Sequence, residues 1–138
     1  MPDELRLFLK ERFGVQGPLS PGRFEAELAK RLGSPARRAP LLKAWRAYLA
    51  QGGREAVRSF YREVLKVPKG EALVYGMHLP HLEFYAKELP PRVEGRVLEV
   101  GAFTGGLVGF LQWKRPDLEW HALDGVEGAV GLGTKRVP

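Results

Sequence analysis

Cysteine, isoleucine and asparagine are missing from this chain of 138 residues, and methionine occurs only twice. Without cysteine there is no disulfide framework, no thiolate metal site and no cysteine nucleophile, and a reducing, cytoplasmic setting is expected. The lack of asparagine and isoleucine beside abundant arginine fits a GC-rich genome, and scarce asparagine is shared with heat-adapted proteins. Long hydrophobic runs are also absent. The longest uncharged stretch, Val100 to Trp113, carries four glycines and is shorter than the roughly 18 residues that suggest a membrane span. Met1-Pro2-Asp3-Glu4 is acidic where a secretory leader would be basic, so no targeting segment and no membrane partner are expected.

The hydrophobic content of 44% is enough to supply a core for one domain, or for one small domain with an appendage. The net charge of +6 is unevenly placed. Met1 to Arg92 holds 17 Lys and Arg against 10 Asp and Glu, whereas Val93 to Pro138 holds 5 against 6. Such a basic region can attract nucleic acid, or it can simply be solvated helix surface; the densest run, Arg37-Arg38, is only a pair.

The first ninety residues read as short amphipathic helices. Leu5, Phe8, Leu9 and Phe13 follow helical spacing and stop at Gly14. Ser20-Pro21 and Ser34-Pro35 each offer an N-cap followed by proline in the first turn. The first starts a stripe of Phe24, Leu28 and Leu32 closed by Gly33, and the second a face of Leu41, Leu42, Trp45, Tyr48 and Leu49 that ends at Gly52-Gly53. Arg54 to Lys66 places Val57, Phe60, Tyr61, Val64 and Leu65 on one side. In Glu71 to Leu89, Gly76 and Pro80 interrupt the pattern, yet Leu82, Tyr85 and Leu89 could line one side of a helix, and Pro90-Pro91 stops any helix there. The irregular spacing does not form a repeat array.

After Gly95 the periodicity changes. Arg96 to Val100 is short, apolar and bounded by glycines, which fits a buried parallel strand. Thr104 to Lys114 predicts a helix, Leu118 to Leu123 a second strand, and Gly128 to Arg136 a final helix diluted by Gly131 and Gly133. The β-α-β-α order implies a parallel pair with a right-handed crossover. The expected fold is mostly α with a small α/β part: a basic helical region over 1–89, a Pro/Gly linker over 90–95 and a cofactor-binding unit over 96–138.

The chemistry concentrates where the first strand meets its turn. A nucleotide cofactor approaches the carboxyl end of such a strand, and glycines let it come close to the backbone. Gly101 and Gly105 occupy that turn, and Asp124 follows at a spacing suited to an acid that accepts hydrogen bonds from ribose hydroxyls. A dinucleotide fingerprint would need glycine at 103, where this chain has Phe103, and no phosphate-binding G-x-x-x-x-G-K-[ST] loop is present.

Glu99, Gly101 and Gly105, with Thr104 before the last glycine, match the acid-x-Gly-x-x-x-Gly form of the first motif of class I S-adenosylmethionine-dependent methyltransferases, and Arg96 to Val137 resembles the start of their Rossmann-like core. The resemblance implies that Glu99 helps orient the methionine amino group. It also implies that the turn of Gly101, Ala102, Phe103, Thr104 and Gly105 wraps the methionine and ribose portion, and that Asp124, with Gly125 beside it, holds the ribose hydroxyls. The family often has an apolar residue directly after the ribose-binding acid; this chain has Gly125 there and Val126 one later. Only two of the family's seven strands fit before Pro138, and the residues that contact the methyl acceptor follow the fourth. The expectation is therefore an incomplete methyltransferase-family protein that keeps the cofactor-binding turn and has no assignable catalytic residue.

The same residues also admit a simpler reading, a βα turn with Glu99 solvated at a strand end and Asp124-Gly125 turning into a helix. Under it the protein is a non-catalytic helical binding or assembly module. A second copy covering the exposed sheet edge is then an expected partner, with nucleic acid on the basic region as another. His78-x-x-His81 lacks a third ligand, and no metal is expected. Tyr75 and His78 are expected to pack near the strand-end turn, and His121 needs no function. Trp45, Trp113 and Trp120, with Phe60 and Tyr61, could be base-stacking aromatics beside basic residues, but their helical or strand spacing reads as core, and no serine stands in a nucleophile turn.

Overall fold

A computed structural model describes residues 2–126. The described chain forms six helices and two strands: α1 (Pro2–Phe13), α2 (Pro21–Leu32), α3 (Pro35–Gln51), α4 (Arg54–Leu65), α5 (Gly70–Glu88), β1 (Arg96–Val100), α6 (Gly106–Lys114) and β2 (Glu119–Leu123). The helix expected over Gly128 to Arg136 lies outside the described residues. No described helix is long and apolar enough to cross a membrane.

The two Ser-Pro devices act as read. The Ser20 hydroxyl accepts the Arg23 N–H at 3.3 Å, and the Ser34 hydroxyl accepts the Arg37 N–H at 3.3 Å. Each supplies an acceptor to a helix N–H that has no partner within its own helix. Gly52, in the left-handed region at φ 61°, ends α3 and lets α4 fold back against it. Between them Trp45 stands 4.5 Å from Phe24 and 5.2 Å from Phe60, centroid to centroid, all three fully buried. Truncating any one of these rings would cost about 3–5 kcal/mol.

Helix α5 spans both residues that interrupt its sequence pattern. Neither Gly76 nor Pro80 breaks it. Proline has no N–H, so the Gly76 carbonyl four residues earlier loses its helical donor. The backbone N–H of Leu19, in the α1–α2 connection, replaces it at 3.0 Å. Glycine is required at 76 for the same reason: a Cβ there would stand 2.9 Å from the Gly17 carbonyl oxygen and 3.2 Å from Leu19 Cβ. The two supposed breakers thus form a docking site for a loop.

β1 and β2 pair in parallel, in register from Arg96 opposite Glu119 to Val100 opposite Leu123. Their side chains alternate. Val97, Glu99, Trp120 and Ala122 are half-buried, while Leu98, Val100 and Leu123 are exposed on the other face. α6 begins at Gly106, two residues later than read, because Thr104 and Gly105 complete the turn. Phe103, Leu107, Phe110 and Leu111 join Leu5, Phe24 and Trp45 in one hydrophobic core, so the strand-helix-strand part and the helices are packed as one unit.

Gly76→Ala should lower stability by about 1–2 kcal/mol, because backbone displacement and a weakened Leu19 bond outweigh a helix-propensity gain of at most ~1 kcal/mol. Gly22→Ala, where a Cβ meets nothing within 4 Å, should be neutral or stabilising. Denaturant midpoints of the two variants check this, and equal midpoints would refute the docking role of Gly76.

Candidate cofactor site

The turn after β1 is built from backbone conformations that few residues adopt. Gly101 and Gly105 lie at φ 79° and 84°, and Phe103 lies at φ 52° without being glycine. Such a Phe must be held by its surroundings. Its ring packs 5.2 Å from Tyr61 of α4 and 5.7 Å from Tyr75 of α5, and its N–H donates to Asp124 Oδ2 at 2.7 Å. The N–H groups of Gly101 and Ala102 both reach the Leu123 carbonyl, at 2.8 and 3.1 Å. The end of β2 therefore ties the turn from beneath.

Tyr75 ties it from the side. Its hydroxyl accepts the Gly106 N–H at 2.8 Å and bonds the Thr104 hydroxyl at 2.6 Å, entirely out of solvent. Burial pushes the phenol well above its ordinary pKa, so it stays protonated. A Cβ at Gly106 would lie 2.7 Å from the ring, which explains the second glycine of the Gly105-Gly106 pair. Thr104, with no exposed surface, serves this contact, and Gly105 caps α6. Neither of these two residues lines the cavities beside the turn.

Two cavities share Gly101, Phe103 and Tyr61 in their linings. One, of about 250 Å³, is lined by Glu99, Gly101, Ala102, Phe103 and Leu107 below and by Tyr61, Tyr75, His78 and Leu82 above. The other, of about 430 Å³, lies among Gly101, Phe103, Asp124, Gly125 and Val126, with Arg54, Val57, Arg58 and Tyr61 of α4 opposite. Of the residues singled out in the sequence, Glu99, Gly101, Ala102, Phe103, Asp124 and Gly125 reach these cavities. Tyr61, Arg54 and Arg58 were not legible as site residues: Tyr61 sits on the apolar face of α4, and an i, i+4 arginine pair is ordinary on a helix surface.

Glu99 is the unusual group. Its Oε2 is buried without a hydrogen-bond partner. Burial pushes its pKa up to about 7, helped by the Asp124 carboxylate and opposed by the Val108 backbone N–H. Asp124 is differently placed: Oδ2 accepts from Phe103 and Oδ1 accepts the Val126 N–H at 2.8 Å. Each oxygen keeps a second lone pair for a ligand hydroxyl. His78 is held below its usual pKa by burial and by His81, whose ring lies 6.4 Å away. Tyr61 is pushed up to about 12, chiefly by burial. Among the described residues no three His, Asp or Glu side chains gather as metal ligands.

Comparison with protein-family models, with curated proteins and with solved structures found no match to this chain.

The Glu99 carboxyl gives a pH signature of known sign. Its pKa is higher folded (about 7) than its ordinary value of 4.5, so the folded state binds more protons between those values and stability falls as pH rises through that window. Glu99→Gln removes this fall. The variant should gain on the parent by roughly 1–3 kcal/mol between pH 4.5 and pH 8, read as the difference between their urea-unfolding free energies. Parallel curves would show that Glu99 is not held neutral.

Proposed function

We propose that this chain is the cofactor-binding part of a class I S-adenosylmethionine-dependent methyltransferase unit, with a Rossmann-like strand-turn-helix-strand as its seat. The observation that carries the reading is the orphaned Oε2 of Glu99, buried at the carboxyl end of β1 beside a cavity. A buried carboxyl oxygen without a partner costs stability unless a ligand donor completes it, and the α-ammonium of an amino-acid ligand is such a donor. Asp124 follows the end of the paired strand and lines the second cavity together with Gly101 and Phe103. An ammonium at one end and a ribose diol at the other is the polarity of S-adenosylmethionine and of its demethylated product. The positively φ-shifted turn of Gly101 supplies close backbone approach between them.

The bound cofactor supplies an electrophilic methyl group on a sulfonium. The residues of this chain hold and orient it: Glu99 the ammonium, Asp124 the diol, Phe103 and Leu107 the apolar middle. The family's acceptor contacts follow its fourth strand. The described residues contain two strands, so no catalytic residue is assigned.

Titration calorimetry with S-adenosylhomocysteine should give heat and a thermal shift, with affinity weakened at least tenfold by Glu99→Gln, Asp124→Ala or Gly101→Val. Affinity for the parent should rise from pH 5.5 to about 7, because ligand binding must displace the Glu99 proton, and that rise should vanish in Glu99→Gln. No heat and no thermal shift at millimolar ligand would sink the proposal.

A second reading, an assembly module, is favoured by one observation. Leu98, Val100 and Leu123 are 57%, 73% and 56% exposed on one face of a parallel pair, and parallel sheets are normally covered on both faces. A second copy laid on this face would make a dimer. Light scattering should then show a concentration-dependent dimer lost in Val100→Asp, whereas a strict monomer at all concentrations removes this reading.

A further inference from the structure

The α3–α4 hairpin carries an unusual concentration of uncompensated positive charge. Between residues 35 and 65 the chain has seven Lys and Arg but only two acids, Glu55 and Glu63. Glu63 is taken up by Lys66 at 2.9 Å. None of the seven cations forms an ion pair among the described residues, although cations elsewhere, such as Arg6, Arg92 and Lys114, have partners. Surface charge is usually interspersed with the opposite sign; a one-signed hairpin is a field that draws a polyanion.

The arrangement on α4 says what kind. Arg54, Arg58 and Arg62 recur every four residues, so they follow one side of the helix at a rise of about 6 Å each. That separation is close to the spacing of successive phosphates along one nucleic-acid strand, and a guanidinium fork suits a phosphate better than an ammonium would. Arg54 and Arg58 also stand on the wall of the larger cavity, across from Asp124 and Gly125. Half-buried Tyr61, on the same helix and in the lining of the same cavity as Arg54 and Arg58, gives a base an aromatic ring on which to stack. An acidic protein segment would match the charge but neither the spacing nor the stacking surface.

We infer that the α3–α4 hairpin binds the phosphodiester backbone of a nucleic-acid strand and leads it along α4 to the rim of the cavity beside Asp124, which makes nucleic acid the methyl-acceptor class of the proposed cofactor site. The acceptor assignment rests on the cofactor reading, while the binding surface stands without it. The two fail separately. A protein that binds S-adenosylhomocysteine but no nucleic acid refutes this inference alone; one that binds nucleic acid but no S-adenosylhomocysteine refutes the cofactor reading and, with it, the acceptor assignment.

Fluorescence anisotropy with a labelled mixed-sequence 20-nucleotide single-stranded RNA, its DNA counterpart and the DNA duplex, at 50 to 200 mM NaCl, tests it. The intact protein should bind at least one of these with affinity that falls steeply with salt. The R54Q/R58Q/R62Q variant should lose at least tenfold in affinity at 100 mM NaCl and lower the slope of log affinity against log salt by roughly two. The K10Q/R23Q/K87Q variant removes the same charge from exposed positions outside the hairpin and should lose less than threefold. Equal losses in both triples, absence of salt dependence, or equally tight binding of polyglutamate of matched charge would each overturn the inference. If the first triple melts early, R62Q alone, at an exposed position, should lower the slope by roughly one, and an unchanged slope overturns the inference.

Discussion

The Tyr75 hydroxyl is the contact on which the rest of the arrangement depends. It sits in the core of the helical layer, yet its two partners, the Gly106 N–H and the Thr104 hydroxyl, belong to the turn between β1 and α6. An N–H at a helix start has no carbonyl four residues earlier to accept it, and here a phenol from another helix supplies the acceptor. The ring can come that close only because residue 106 has no side chain. One hydrogen-bonded group therefore fixes how the bundle meets the strand-helix-strand part, and with it where Glu99 and Phe103 point. The net value of each such bond is modest, about 1 kcal/mol, but a buried N–H left without it would cost more.

The structure satisfies its other awkward backbone groups in the same way, by tertiary rather than local partners. The Gly76 carbonyl, left without a donor by Pro80, is met by Leu19 from a loop. Phe103 is held at positive φ by Asp124 and by two aromatic rings. Among the described residues, the buried Glu99 side-chain oxygen without a partner stands out against this background. Strain and orphaned polarity persist in folded proteins mainly where a ligand or a mechanism uses them, and here both occur within five residues of one another at the mouth of two adjoining cavities.

How much could be read in advance differed by kind of signal. Helix starts at Ser20-Pro21 and Ser34-Pro35, stops at Gly33 and Gly52, and both strands were legible because caps, glycine φ preferences and hydrophobic periodicity act within a few residues. Gly76 and Pro80 misled for the opposite reason: locally they break a helix, and only the distant Leu19 N–H and the close pass of Gly17 make them compatible with one. The turn from Glu99 to Gly105 and its spacing to Asp124 could be located, but not the division of labour within it, in which Thr104 faces Tyr75 while Glu99, Gly101 and Phe103 face the cavities.

The sequence by itself determined the order of the described elements, the uneven charge and the presence of two carboxylates at strand ends, since each follows from neighbours along the chain. Tertiary structure alone decided that α4 and α5 roof the turn, that Tyr61, Arg54 and Arg58 line its cavities, and that Glu99 is buried enough to hold its proton to about pH 7. Solvation and electrostatic fields depend on what lies across space from a group, and side chains of α4 and α5, far from Glu99 along the chain, set them here.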